Sequence, residues 1–137
     1  VAETKPRIGT LMIIDDNEVD QMLCRRLVKR SGLVDNVLGF LSAEDALEYL
    51  RSQTLPAADA ILLDINMPKM DGFEFLDAAT RELGARFARI VIMMLTTSLN
   101  PHDQERARQY PVVKDYCNKP LLLEYLERLA GELCHER

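Results

Sequence analysis

Leu11-Met12-Ile13-Ile14-Asp15-Asp16-Asn17 sets four apolar residues directly against two carboxylates. A run that is apolar at every position, not at alternate ones, is the pattern of a strand buried on both faces, as in a parallel sheet. The period then changes. Val19, Leu23 and Leu27 recur at helical spacing between residues 18 and 30, and Ser31-Gly32 supplies a helix stop. The same strand-then-helix unit repeats along the chain. Residues 37–41 read as a second strand, and Ser42 caps a helix whose inner stripe is Ala46, Leu47 and Leu50. After a loop punctuated by Pro56 comes a third strand at residues 60–63, then a helix past Asp71-Gly72 with Phe73, Leu76 and Leu83 inward. A fourth strand spans residues 90–95, and Pro101 opens a helix running to about residue 109. A fifth strand spans residues 112–117. A last helix spans residues 121–133 with Leu122, Leu126, Leu129 and Leu133 as its core stripe.

Five β-α units predict an α/β fold: a flavodoxin-like, doubly wound (βα)5 domain with a parallel sheet in strand order 2-1-3-4-5. The expected boundaries are an N-terminal tail at residues 1–9, the domain at 10–134 and a C-terminal tail at 135–137. A length of 137 residues suits one such domain, with 47% hydrophobic and 28% charged residues marking it as globular, not disordered. A net charge of -5 lacks the basic footprint of a nucleic-acid binder, so no nucleic acid is expected as a partner. The longest apolar run, residues 90–95, is too short to span a bilayer, and no leader-like segment opens the chain. No membrane association is expected, and the expected location is cytoplasmic. Cys24, Cys117 and Cys134 are odd in number and widely spaced, which suits reduced thiols. Two distant histidines, His102 and His135, make no transition-metal site.

In a doubly wound sheet ligands bind beyond the carboxyl ends of the strands. Asp15 and Asp16 follow the first strand, Asp64 the third, Thr96 and Thr97 the fourth, and Lys119 lies just past the fifth. Carboxylates gathered on one edge repel one another and need protonation, a cation or the lysine to be tolerated. Hard oxygen donors of this kind suit Mg²⁺. The six glycines are scattered singly, so neither a P-loop nor a dinucleotide fingerprint accompanies them. Taken singly, Asp16 is equally a turn or cap residue, and a Lys before Pro is a common surface feature. The set as a whole is what points to phosphoryl chemistry.

Ile13-Ile14-Asp15-Asp16-Asn17, Leu63-Asp64-Ile65-Asn66-Met67-Pro68 with Met70-Asp71-Gly72, Met94-Leu95-Thr96, and Tyr116-Cys117-Asn118-Lys119-Pro120 together resemble a response-regulator receiver domain of two-component signalling. The resemblance covers nearly the whole chain. It implies that Asp64 receives a phosphoryl group from a sensor histidine kinase or a phosphotransfer protein. It implies a Mg²⁺ cofactor held by Asp16, Asp64 and the backbone carbonyl of Asn66, with Asp15 acting through water. Lys119 would pair with the phosphoryl oxygens, Thr96 would donate to them, and Thr96 with Tyr116 would form a switch. That switch would remodel the face made by the fourth helix, fifth strand and fifth helix, toward a downstream protein or a homodimer partner. Asn66 and Ser98 occupy the positions that tune phosphoaspartate lifetime, and the bond before Pro120 is expected to be cis. Thr97 stands where many receivers carry a smaller residue.

Thr96-Thr97-Ser98 and residues 108–112 are more similar to stand-alone receivers, including those paired with bacterial phytochromes. With no output domain after the last helix, the expectation is a stand-alone signalling module read by another protein. Leu121 and Tyr125, four apart, are a candidate apolar partner patch, with half-burial against the preceding helix as the alternative. The basic cluster Arg25, Arg26, Lys29 and Arg30 reads as a solvated face of the first helix. Two rivals stand beside the receiver. A small Mg²⁺-dependent phosphatase of the haloacid-dehalogenase type would want Asp-x-Asp at the first strand, where Asn17 fills the second slot. A scaffold that no longer accepts phosphate is disfavoured by the complete set of site residues.

Overall fold

The computed structural model describes residues 7–53 and 57–136, with side chains for all but the last three of these. Pro56, residues 1–6 of the N-terminal tail, Arg137 and the side chains of Cys134 and His135 lie outside the described residues. The elements run β1 (Ile8–Ile14), α1 (Glu18–Ser31), β2 (Val34–Phe40), α2 (Ala43–Arg51), β3 (Ala60–Leu63), α3 (Gly72–Leu83), α4 (Ala85–Ala88), β4 (Val91–Thr96), α5 (Pro101–Ala107), β5 (Val113–Asn118) and α6 (Leu123–Glu136). The five strands form one parallel sheet in the order β2-β1-β3-β4-β5.

Alternate strand residues feed opposite faces. Met12, Ile14, Ile61, Leu63, Ile92 and Met94 pack with Leu47, Phe73, Phe75, Leu76 and Phe87 beneath α2 to α5. Ile13, Leu62, Met93 and Leu95 pack on the other side against Cys24 and Val28 of α1 and Leu126, Leu129 and Leu133 of α6. Burying each of these large aliphatic side chains contributes roughly 1.5–3 kcal/mol. Both faces are covered, which is why the inner strands β3 and β4 are buried at every position, while the edge strands β2 and β5 carry polar residues such as Asp35, Asn36, Lys114 and Asp115.

Several element boundaries and faces differ from the sequence reading. β1 begins at Ile8, so the last two residues of the expected N-terminal tail belong to the sheet; Ile8 is fully buried. β2 lies earlier, at Val34–Phe40, leaving Leu41 exposed outside it, because register with β1 pairs Ile8 with Val34 and Ile14 with Phe40. The one-turn helix α4 was not expected; it drops Phe87 edge-on against Phe75 in the core. On α1 the buried stripe is Gln21, Cys24 and Val28, while Val19, Met22 and Leu23 are exposed. A helix of period 3.6 offers either stripe, and the sheet takes the one that carries a polar residue. α6 starts at Leu123, so Leu121 and Leu122 precede it; Leu122 is exposed and leaves the expected core stripe, whereas Leu121 is buried.

Candidate functional site

Register brings the strand ends level. Ile14 pairs with Leu63, and Leu63 with Met94, so the residues just beyond them share one edge of the sheet. Backbone hydrogen bonds stitch that edge together: Asp64 N–H donates to the Ile14 carbonyl (3.0 Å), Asp15 N–H to Phe40 (3.1 Å) and Lys119 N–H to Thr96 (2.9 Å). The functional side chains therefore hang from the rigid sheet.

Asp15, Asp16 and Asp64 each present a carboxylate oxygen within 4.8 Å of the others; Asp15 and Asp64 are buried and Asp16 is exposed. Lys119 reaches in from β5, and the Lys119–Pro120 peptide is cis. Its Nζ lies 2.7 Å from Asp15 Oδ2, 2.8 Å from Asp20 Oδ2 and 3.4 Å from Asp64 Oδ2. Burial pulls the Lys119 ammonium down, but its hydrogen bonds to Asp15 and Asp20 and the Asp64 charge outweigh burial and raise its pKa. Asp64 is also raised above the ordinary carboxylate range, by burial first; Lys119 opposes that rise and Asp15 adds to it. A carboxylate cluster with one ammonium keeps surplus negative charge, and its hard oxygens fit a small divalent cation. Asp15 Oδ1 also accepts from Asn17 N–H at 2.9 Å.

Thr96 is fully buried at the end of β4, and its hydroxyl accepts from Ser98 N–H at 3.1 Å. Ser98 turns its hydroxyl to Asp103 of α5 at 2.5 Å, and Asn118 Nδ2 donates to its carbonyl at 3.2 Å. Thr97 and Asn66 are exposed at the mouth. Tyr116 packs its ring into the core beneath α5, with its hydroxyl buried near Ser98 but making no hydrogen bond of full geometry among the described residues. Burial raises the phenol pKa, with Ser98 lowering it and the Asp103 charge raising it. Replacing a buried unsatisfied hydroxyl by hydrogen removes a desolvation cost. Tyr116→Phe is therefore expected to be stabilised, by about 1 kcal/mol, in urea denaturation followed by circular dichroism.

Gly72 explains how the loop after Asp64 closes. Its N–H donates to the Ile65 carbonyl at 2.8 Å, and a Cβ there would meet the Asp64 carbonyl oxygen at 2.5 Å and Ile65 Cα at 3.0 Å. Asp71 caps α3 reciprocally with Glu74, which pins that helix start against the strand end. Gly72→Ala, despite alanine's better helix propensity, is expected to cost about 2 kcal/mol by pressing on the Asp64 backbone. A lowered urea midpoint checks it.

The structure brings Asp15, Asp16, Asp64 and Lys119 together, with Thr96 on the neighbouring strand end. It does not make a patch of Leu121 and Tyr125. Leu121 precedes α6 and is buried against the α1–α6 face, while Tyr125 is half-buried with the Arg128 guanidinium 5.0 Å over its ring. Arg128 in turn bonds Asp115 and lies 3.0 Å from Cys117 Sγ. Burial pushes the Cys117 thiol up to about 11, which leaves it inert at neutral pH.

Two site residues were missed. Asp20 is an ion-pair partner of Lys119, and Gln21, buried on α1, donates to the carbonyls of Ile13, Asp15 and Phe40. Both are polar residues on a charged amphipathic helix. Nothing in their spacing separates them from its solvated face.

The family described as response regulator receiver domain matches residues 11–130. The chain is 33% identical over 128 residues to a probable methanogenesis regulatory protein, FilR2, of Methanothrix harundinacea, covering 90% of this chain and 79% of that one. A two component response regulator from Cytophaga hutchinsonii superposes with a TM-score of 0.87 at 26% identity, covering 94% and 98% of the two chains. The phosphorylated cyanobacterial phytochrome response regulator RcpA superposes with a TM-score of 0.71 at 26% identity, covering 90% and 89%. Other relatives are sensor or hybrid histidine kinases, of which the chain spans only 6% to 15%.

Proposed function

The chain belongs to the response regulator receiver domain family, and from that premise we propose that it is a cytoplasmic phosphoacceptor that takes a phosphoryl group on Asp64 from a histidine kinase or phosphotransfer protein. The single observation that carries the reading is the burial of Asp64 beside Asp15 and Asp16 with the Lys119 ammonium 3.4 Å away. In the transfer, a lone pair of Asp64 Oδ forms the new P–O bond. The donor's bond to phosphorus breaks, and its electron pair leaves on the imidazole, which takes a proton from solvent.

Receiver domains bind Mg²⁺ at an acidic pocket, and three carboxylate oxygens within 4.8 Å fit that ion. Asp16, Asp64 and the Asn66 carbonyl would hold it directly and Asp15 through water. When bound, it supplies positive charge that neutralises the phosphoryl oxygens. The protein's own part is positioning and electrostatics, which is most of what phosphoryl transfer requires. Lys119 stabilises charge on a phosphoryl oxygen, and Thr96 has its hydroxyl proton free to donate. Asn66 and Ser98 flank the site and tune the lifetime of the product.

Phosphoaspartate adds roughly two negative charges. Thr96 moving toward it would shift the loop through Ser98 to Asp103 and change the packing of Tyr116 beneath α5. The surface of α5, β5 and α6 is thereby the output face, toward a downstream protein or a second copy. The donor approaches from the other side of the site. There the exposed Leu23 of α1 lines a shallow 60 Å³ pocket with Asp20, Cys24, Lys119, Pro120 and Leu121.

The test is intact mass after incubation with acetyl phosphate. A gain of one phosphoryl group that requires Mg²⁺ is expected. No gain with Mg²⁺ present, or steady turnover of a generic phosphate ester without a covalent intermediate, overturns the reading.

A further inference from the structure

We infer that Asp20 is a positioning residue for Lys119: its carboxylate holds the ammonium back from Asp64 in the unphosphorylated protein, and phosphorylation requires its release. This rests on the reading of Asp64 as the phosphoacceptor.

The ammonium has three donors, and its distances are unequal. Asp15 and Asp20 stand at 2.7 and 2.8 Å, full charge-assisted hydrogen bonds, while Asp64 at 3.4 Å is at the edge of bonding. Lys119 thus rests on the α1 side of the cleft, away from the atom it would serve. Asp20 lies outside the three-carboxylate group. Its backbone is fixed by the α1 cap, where Asp20 N–H donates to Asn17 Oδ1 at 2.9 Å. Leu23, Cys24, Pro120 and Leu121 line the same small pocket and wall the ion pair. The Lys119 side chain is 11% exposed and that of Asp20 33%, so the pair is only partly screened by water.

A phosphoryl group on Asp64 adds negative charge on the far side of the ammonium. Every bit of attraction that Asp20 exerts in the acceptor state opposes the move toward it, because an interaction accelerates a step only where it is stronger in the transition state than before it. Removing that charge while keeping the shape lowers this obstacle.

The experiment compares wild type, Asp20→Asn and Asp20→Glu with acetyl phosphate at saturating Mg²⁺, the rate read by intact mass. Asp20→Asn is expected to react three- to tenfold faster, and Asp20→Glu, which restores the carboxylate, to return toward the wild-type rate. The same comparison in a Lys119→Met background is expected to show no acceleration. A second readout uses the unphosphorylated protein: hydrogen exchange of the Lys119 ammonium, by nitrogen-resolved NMR, should be at least tenfold faster in Asp20→Asn. An unchanged or slower Asp20→Asn rate overturns the inference. So does equal acceleration by Asp20→Glu, or acceleration that persists without Lys119. Unchanged ammonium exchange overturns it even if Asp64 accepts no phosphate. Faster exchange in a protein whose wild type takes no phosphoryl group would leave the Asp20 contact standing and remove the phosphoacceptor reading instead.

Discussion

Asp64→Asn is expected to gain no phosphoryl mass from acetyl phosphate and Mg²⁺, and to resist urea better than the wild type. The first result follows from losing the nucleophile: an amide oxygen bears no charge to attack phosphorus. The second follows from the environment. Asp64 is buried beside Asp15, and burial raises its pKa in spite of Lys119, so its ionised form is less favourable in the folded protein than in the unfolded chain. A neutral isostere removes that cost, and gains from relieving a functional site of this kind run to about 0.5–2 kcal/mol.

The sign can be checked against pH. A carboxyl with a raised folded pKa binds more protons folded than unfolded, so wild-type stability falls as pH rises from the ordinary value of 3.8 through the folded value. The advantage of Asp64→Asn is full above that window and fades as pH falls through it. Urea denaturation by circular dichroism at several pH values, without Mg²⁺, measures it; the chain has no tryptophan to report instead. A phosphoryl gain that persists in Asp64→Asn would move the acceptor to another residue.

Lys119→Met is expected to have the opposite effect on stability and a similar effect on function. The Asp15 and Asp64 side chains are only 5% and 8% exposed, and the ammonium between them is the cation that compensates both. Removing one partner of a buried charge group leaves the others uncompensated, at a cost of about 3 kcal/mol. Lys119 has a raised folded pKa, so its stabilisation is complete below its ordinary value of 10.5 and is lost only as pH rises through the folded value. The loss in the variant is therefore fully visible at neutral pH. Lowering the pH protonates Asp64, whose pKa is already raised by burial, and recovers part of it.

Mg²⁺ should bind the variant more tightly than the wild type, because the competing positive charge is gone, and calorimetry reads that directly. Phosphorylation should nonetheless fall about 100-fold, the scale of losing one oxyanion partner. Tighter Mg²⁺ with slower chemistry separates the role of the lysine from that of the metal. Weaker Mg²⁺ binding, or an unchanged rate, would contradict it.

Much of this protein was legible before its structure. Apolar runs at residues 11–14 and 60–63 could only be strands covered on both sides, and strand-helix alternation left a doubly wound sheet as the compact solution. Asp15, Asp16, Asp64, Thr96 and Lys119 were legible because each follows or ends a strand, and a parallel sheet sends all such residues to one edge. Chain order and residue type were sufficient there, since the backbone leaves no other destination.

Tertiary structure decided whatever depended on which face of a helix turned inward. The Val19 and Leu23 stripe of α1 looked like core, yet Gln21, Cys24 and Val28 are buried, because the carbonyls at the ends of β1 and β2 needed the Gln21 amide. Leu121 and Tyr125 looked like neighbours on a helix, but α6 begins two residues after Leu121. The Asp20 contact with Lys119 joins residues 99 apart in sequence. Period and composition report what a segment can bury, and they leave open which partners the other segments will present to it. That choice is a property of the assembled sheet and helices, and at this site it sets where the lysine rests.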